Sequence, residues 1–422
     1  MIGYIKHEIW YLYQDKLYRN ASYLMLSNII IALTGFFFWL IAARLYTPED
    51  VGLATALISA MGLFVVFSTS GFDPTFIRFL PSMNSEERSR FISTAFLFSI
   101  AVSAILSVIF ILFIDFFAPK LDILKFPVYS LIFILFTIVA CMFFLLNGMF
   151  IARRKCSFLL IKTSLQCILK VLFLPFLILV MGMGIWVGIF LSYSFSIIVA
   201  LFFALFLLLR VYPRIKICFD IKVLKKAFKF LSGNYISSIF SQLPNFLFPI
   251  IVLNLVSGAD AAYFYMPWHI FFIFLSFIGP INAALLMEGS YKKDIRKDQG
   301  KAIKLSFLVV LGGIALFFMF GRPLLSLFGK GYADSVNLLY VLALSLIPAS
   351  INQIYLTVKN IRKEIREFTG MNVFIYSSSL VLGTLSIPYF GIIGIGYGWL
   401  IGQTLGVVWI GLKIFKNSLR KQ

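Results

Sequence analysis

Stretches of about twenty apolar residues, separated by short polar turns, recur along almost the whole of this 422-residue chain. An α-helix rising 1.5 Å per residue needs about that length to cross the ~30 Å hydrocarbon core of a bilayer. Backbone groups in lipid must be satisfied within the segment, so uniformly apolar runs of this length are helical. The chain is 61% hydrophobic and only 13% charged, about half the charge of a soluble domain, which excludes a soluble globule. The first run extends from near Ala21 to about Ala43, behind a polar start containing Glu8 and Asp15. It is too long for a signal-peptide core and lacks a small-residue cleavage site, so it reads as an uncleaved first span.

Hydropathy predicts an all-α integral membrane protein with twelve spans: 22–43, 51–72, 91–114, 128–150, 158–180, 185–209, 232–256, 261–287, 302–320, 335–357, 368–387 and 391–412. Thirty of the 37 Lys and Arg residues then fall on the side that carries both termini. The opposite side holds five (Arg44, Lys120, Lys125, Arg322 and Lys330), and Lys162 and Lys170 lie within span 5. The positive-inside rule makes both termini cytoplasmic, in a cell (inner or plasma) membrane. The net charge of +20 is therefore a topology signal with some attraction to anionic lipid headgroups, and no nucleic-acid partner is expected. The four cysteines show no metal-ligand spacing, so neither a disulfide nor a zinc site is implied.

The two halves of the chain align at a constant shift of 210. FFFWLIAARLYTPEDVG (36–52) lies over FLFPIIVLNLVSGADAA (246–262), with Asp50 on Asp260 and Thr47 over Ser257. The same shift sets Lys120 on Lys330, Gly188 on Gly398, and the turn IARRK (151–155) on IRKEI (361–365). Six spans per half make a parallel repeat of two six-helix lobes, an architecture that supports alternating access. The expected organisation is an amphipathic cytoplasmic N-terminus (1–20), a first lobe (21–210), a basic linker (211–230), a second lobe (231–412) and a basic tail (413–422). Residues 321–335, GRPLLSLFGKGYADS, read as a short interfacial segment.

Lys162, Gln166 and Lys170 in IKTSLQCILKV (161–171) are spaced by four and so share one helix stripe. Lys162 lies about one turn inside its span, where a long side chain can snorkel to the surface. Lys170 lies some 20 Å deep, where a lysine costs roughly 3 kcal/mol unless it faces a cavity or partner. No acidic residue is read at comparable depth in any span, so Lys170 is expected to face a polar cavity, the alternative being backbone carbonyls at a helix break near Pro175. Gln166 either extends that polar stripe or makes a helix–helix hydrogen bond. His269, in YMPWHIFFIF (265–274), follows Pro267, and a kink there would open polar backbone to a cavity. The histidine would bind cargo or a proton, or be satisfied by a neighbouring helix. Asn28, Asn245, Asn282, Asn352 and Gln353 are polar groups within spans that line a path or bridge helices.

The stretch FFFWLIAARLYTPEDVGLATALISAMGLFVVFSTSGFDPTFIRFLPS (36–82) resembles the polysaccharide and oligosaccharide flippases of the multidrug/oligosaccharidyl-lipid/polysaccharide exporter superfamily. NGMFIARRK (147–155), PLLSLFGKGYADS (323–335) and GIIGIGYGWLIGQTLG (391–406) are similar to later features of that family. The resemblance implies a MATE-like, V-shaped pair of six-helix bundles. It also implies transfer of polyprenyl-(pyro)phosphate-linked oligosaccharides, such as O-antigen units, from the inner to the outer leaflet. Partners would be the lipid-linked sugar, membrane lipids, and a polysaccharide polymerase or glycosyltransferases. No cofactor is expected; a proton or sodium gradient or the membrane potential would drive the cycle. Lys170, Lys162, Arg78, Gln166 and His269 are the candidate substrate-binding residues, and none is assigned a catalytic role. A cationic, watered cleft would offset the desolvation of the phosphates, and lysine, a mobile point charge, suits a partner that must be released. Arg78 either meets the phosphate or anchors its span. The 210 shift sets Glu288 opposite Arg78, and the pair is a candidate inner gate.

Two other functions compete. A cation-coupled multidrug antiporter would need buried carboxylates, which the predicted spans lack. A membrane glycosyltransferase or polymerase would need catalytic residues on sizeable outer loops, and the outer loops here are short, without paired carboxylates.

Overall fold

The computed structural model describes residues 16–69, 71–181, 185–213, 216–291 and 296–419, with side chains described except at 16–18, 180, 181, 222–234, 287–291, 296 and 417–419. Most of the amphipathic segment expected over 1–20 therefore lies outside the described residues. Twelve helical segments among the described residues are long and apolar enough to cross a membrane, matching the hydropathy. Among the described residues there is no strand. The helices are α1 (Lys16–Leu45), α2 (Pro48–Thr69), α3 (Phe72–Phe79), α4 (Ser85–Leu112), α5 (Pro127–Ala152), α6 (Cys156–Met181) and α7 (Trp186–Val211). They continue as α8 (Ile221–Leu255), α9 (Gly258–Leu275), α10 (Gly279–Tyr291), α11 (Arg296–Ser326), α12 (Val336–Ile361), α13 (Ile365–Phe390) and α14 (Ile393–Leu419).

Local deviations from the expected spans have identifiable causes. The second span does not end near 72. Gly71, at φ 88°, takes a left-handed conformation open to glycine, and α3 then continues the span to Ser82. Asn84 starts α4 with a reciprocal cap, accepting from the N–H of Glu86 and Glu87 while Glu87 accepts from the N–H of Asn84. Helix α9 runs unbroken across Pro267, and its regular geometry gives way only at Ser276–Ile278, a 3-10 turn leading into α10. Helix α8 begins at Ile221, so much of the expected linker is helical. The expected interfacial segment 321–335 is instead partly the end of α11, and Leu325, Phe328 and Tyr332 within it are buried.

The internal repeat is visible in local geometry. Thr47 and Ser257 each accept from the N–H three residues on, Asp50 at 3.2 Å and Asp260 at 3.0 Å, and each donates its hydroxyl to the same aspartate. The two basic turns also match. Arg154 (φ 55°) and Lys363 (φ 59°) both take the left-handed conformation. Each is followed by a closing bond, from Lys155 N–H to Phe150 O and from Glu364 N–H to Lys359 O. Here the structural shift is 209, one residue short of the sequence alignment.

By contacts the chain divides into two units, residues 1–45 with 61–232 and residues 46–60 with 233–422. In the first, phenylalanines fill the interior, with Phe64, Phe110 and Phe133 in mutual ring contact. In the second, the interior centres on Trp268, which meets Phe248, Phe264 and Trp399 with ring centroids 5.2–5.3 Å apart.

Candidate polar site in the first unit

Helix α6 packs against α1 and α7 and turns its polar stripe inward. Lys162, Gln166 and Lys170 are all buried, while Ile161, Ile168 and Leu172 on the other faces are exposed. Lys162 does not snorkel. It is 0% exposed, donates to the carbonyl oxygen of Phe143 on α5 at 2.8 Å, and sits 3.5 Å from the centre of the Phe143 ring. An inward path was open because that carbonyl and ring face give the ammonium a partner without travel to the surface. Gln166 donates to Ser196 Oγ on α7 at 3.3 Å, the helix-to-helix bond expected of it. Lys170 is 7% exposed, with its ammonium 5.6 Å from the Phe38 ring of α1. No carboxylate of the described residues lies within 4.0 Å of either lysine.

The structure places one acid deeper than its sequence position indicates. Because α3 extends the second span, Asp73 lies inside that span rather than at its end, and its charge acts on Lys162. Asp73 Oδ1 also accepts from the backbone N–H of Gly148 at 3.0 Å. A Cβ on Gly148 would stand 2.5 Å from Oδ1 and 2.7 Å from Asp73 Cα, so only glycine lets α3 approach α5 here. Two sequence patterns, GFDPTFIRFLP and NGMFIARRK, thus meet at one contact. With all three side chains ionised, the group of Asp73, Lys162 and Lys170 carries one net positive charge.

Residues 17–287 match the family model described as polysaccharide biosynthesis protein, well over half of the chain. The chain belongs to that family. Its fold is similar to that of solved membrane transporters. A lipid II flippase, MurJ, in an inward closed conformation aligns with TM-score 0.74 at 16% identity, covering 94% of this chain and 87% of that one. An inward-facing multidrug resistance transporter of the MATE family aligns with TM-score 0.69 at 16% identity, covering 96% of both chains. A transporter of the same superfamily from Pyrococcus furiosus, described as having a binding pocket of reversed polarity, aligns with TM-score 0.60 at 16% identity, covering 96% and 97%. Curated protein sequences gave no match.

In this multi-pass membrane member of the polysaccharide biosynthesis family, the other predicted site residues are on helices other than α6. Arg78 ends α3 exposed, with its guanidinium 5.8 Å from the Phe79 ring. Glu288 is in α10, and its side chain lies outside those described, so the gate with Arg78 remains an expectation. His269, in the second unit, is half-buried and stacks on Tyr265 with ring centroids 5.6 Å apart.

Two polar assemblies escaped the sequence analysis. Lys359, counted among the loop charges, is buried at the end of α12 and bridges Glu364 (2.7 Å) and Glu367 (2.9 Å); Lys413 and the Tyr355 hydroxyl also reach Glu367. The linker forms the other. Lys216, Cys218 and Asp220 donate their N–H groups to Ser89, Ser93 and Thr94 of α4 at 2.7, 2.8 and 3.0 Å. No residue type in the strap flags these bonds, because the donors are backbone N–H groups and the partners are hydroxyls 125–127 residues away in sequence.

Proposed function

We propose that this protein is a flippase that carries polyprenyl-(pyro)phosphate-linked oligosaccharides across the membrane by alternating access, for assembly of cell-surface polysaccharide. The observation that carries this reading is the inward-facing stripe of Lys162, Gln166 and Lys170 in the first unit, in a chain of the polysaccharide biosynthesis family. Lys162 is held by a carbonyl and balanced by Asp73, so it sets the local field. Lys170, with the Phe38 ring beside it and no carboxylate of the described residues within 4.0 Å, is the charge available to a phosphate. An ammonium in a low-dielectric interior is costly alone, and an arriving anion relieves that cost. The polyprenyl tail stays in lipid throughout, so only the headgroup has to be desolvated. Both termini are assigned to the cytoplasmic side from the distribution of basic residues.

Asp73 does not turn the reading towards a cation antiporter, because that acid is held by the Gly148 N–H and lies within electrostatic reach of the positive Lys162 rather than standing alone. The test is reconstitution in liposomes with a fluorescent polyprenyl-diphosphate-linked sugar, following its appearance in the opposite leaflet. Wild type is expected to translocate the probe and Lys170→Ala to slow it at least about tenfold, equivalent to ~1.4 kcal/mol. Normal rates in Lys170→Ala would remove that residue from the site, and no translocation by wild type would overturn the function.

A further inference from the structure

The start of α4, the end of α5 and the end of α7 meet in the first unit, on the side that the basic residues assign to the cytoplasm. Between them lies a cleft lined by Ser85, Arg88 and Ser89 of α4, Arg153 at the end of α5, and Tyr212 just past α7. Tyr212 is the fixed point. It is buried, and its hydroxyl donates to the Met149 carbonyl at 3.3 Å. Two guanidiniums gather on its ring, Arg153 at 5.0 Å and Arg88 at 5.9 Å from the ring centre. Arg88 is aimed further by Nη2, which donates to Met83 O at 2.7 Å, and by Nε, which donates to Leu80 O at 3.3 Å. A guanidinium carries five N–H donors, so Arg88 keeps others for a ligand. No carboxylate of the described residues lies within 4.0 Å of either arginine. The acids of this turn are engaged elsewhere, Glu86 with Arg90 at 2.6 Å and Glu87 with the Asn84 N–H at 3.2 Å. Ser89 is buried; its Oγ accepts from the Lys216 N–H at 2.7 Å, and its own O–H remains a donor.

Two cations lining one cleft without a counter-charge repel each other, and an anion between them relieves that repulsion. Guanidinium forks match the oxygens of a phosphate, which can accept from both at once. The free space of the cleft, about 30 Å³, admits roughly two or three water-sized atoms. It takes the unesterified oxygens of one phosphate and leaves the rest of the bearer outside. The flank of the cleft indicates that bearer. Leu209, one turn before Tyr212 on α7, is 56% exposed, a side chain placed to meet acyl chains, so the arginines stand at headgroup level. We infer that this cleft binds the phosphate group of a membrane lipid at the cytoplasmic surface, through Arg88 and Arg153. The assignment does not need the flippase reading, because a lipid phosphate docks here whether or not the protein moves it. Two lipids offer that phosphate: an anionic phospholipid of the bilayer and, under the flippase reading, a polyprenyl phosphate arriving as cargo.

The test is native mass spectrometry of the full-length protein in detergent, titrated with phosphatidylglycerol, polyprenyl monophosphate, diacylglycerol and inorganic phosphate. At least one of the two lipid phosphates should bind, and diacylglycerol, which lacks the phosphate, should bind at least about tenfold more weakly. Arg153→Gln, which keeps a polar side chain and removes the charge, should weaken the tightest-bound lipid at least about fivefold. Arg88→Gln should do the same; because it also loses two carbonyl bonds, its melting temperature is followed, and Arg153→Gln decides the matter if it unfolds. Arg154→Gln removes an exposed neighbouring charge that does not line the cleft, and should change binding less than about twofold. Equal weakening by Arg154→Gln, unchanged binding in Arg153→Gln, or equal binding of diacylglycerol would overturn the site and leave only diffuse positive charge at the surface. Binding of inorganic phosphate and of neither lipid would also overturn it, in favour of a soluble anion. Competition between the two lipids then names the source. Displacement of phosphatidylglycerol by equimolar polyprenyl phosphate makes the cleft a cargo entrance, and its retention makes the cleft an anchor for bilayer lipid; either result supports the lipid-phosphate site.

Discussion

Lys170 and Lys359 are both buried lysines near the polar layers of their units, yet they occupy opposite chemical situations. Lys359 is bridged by two glutamates, one of which also holds Lys413 and Tyr355. Lys170 has an aromatic ring at 5.6 Å and no carboxylate of the described residues within 4.0 Å. The repeat that relates the halves preserved the aspartate caps and the left-handed basic turns. It did not preserve the partners of the buried charge: the ammonium of Lys359 is matched by two glutamates, whereas that of Lys170 has no carboxylate of the described residues within 4.0 Å. Backbone-setting residues are common to the two halves, and buried polar side chains differ. A saturated lysine builds structure, and an under-partnered one is available to a ligand.

The comparison breaks most clearly if both lysines behave alike. Lys359→Ala should destabilise the protein by about 2–3 kcal/mol, because the partly buried Glu367 loses one of its two cations and Glu364 loses its bridge. That loss is read as a fall in melting temperature in detergent, with translocation by the folded fraction unchanged. Lys170→Met should do the opposite, leaving melting the same or higher and abolishing translocation. Gly148→Ala comes next, since its new Cβ would strike Asp73 at 2.5–2.7 Å. A cost of about 1–3 kcal/mol is expected from such overpacking. Lys162→Met should cost about 1–2 kcal/mol alone, from the stranded charge of Asp73, and Lys162→Met with Asp73→Asn should recover most of it. A fully additive double variant would separate the two side chains. The smallest effect tests what the halves share: Thr47→Ala and Ser257→Ala should each cost ~1 kcal/mol, and by similar amounts.

Much of this could be read from residue order. Twelve spans followed from apolar run length, and the repeat from Asp50 over Asp260 and the paired basic turns. The depth of Asp73 could not, because it depends on Gly71 breaking the second span and letting it continue as α3. Nor could the fate of Lys162, whose partner is a backbone oxygen nineteen residues upstream on another helix. Loop arithmetic treated Lys359 as one more surface charge, since residue counts carry no information about which charges find each other. The polar cluster of the second unit was half legible: Asn352 and Gln353 stood out as amides in apolar spans, whereas Gln403, which accepts from Asn352, was hidden in a glycine-rich pattern.

The strap over α4 is tied through its backbone, which both donates to and accepts from side chains of that helix. Lys216, Ile217, Cys218 and Phe219 all present exposed side chains, while the N–H groups of 216, 218 and 220 carry the attachment. Such a segment is indifferent to side-chain identity and intolerant of one residue type. Proline, lacking the donor, would release it at 216, 218 and 220 and pass without loss of these bonds at 217 and 219. The sequence of this connection can therefore drift widely, with a two-residue rhythm in the one substitution it refuses.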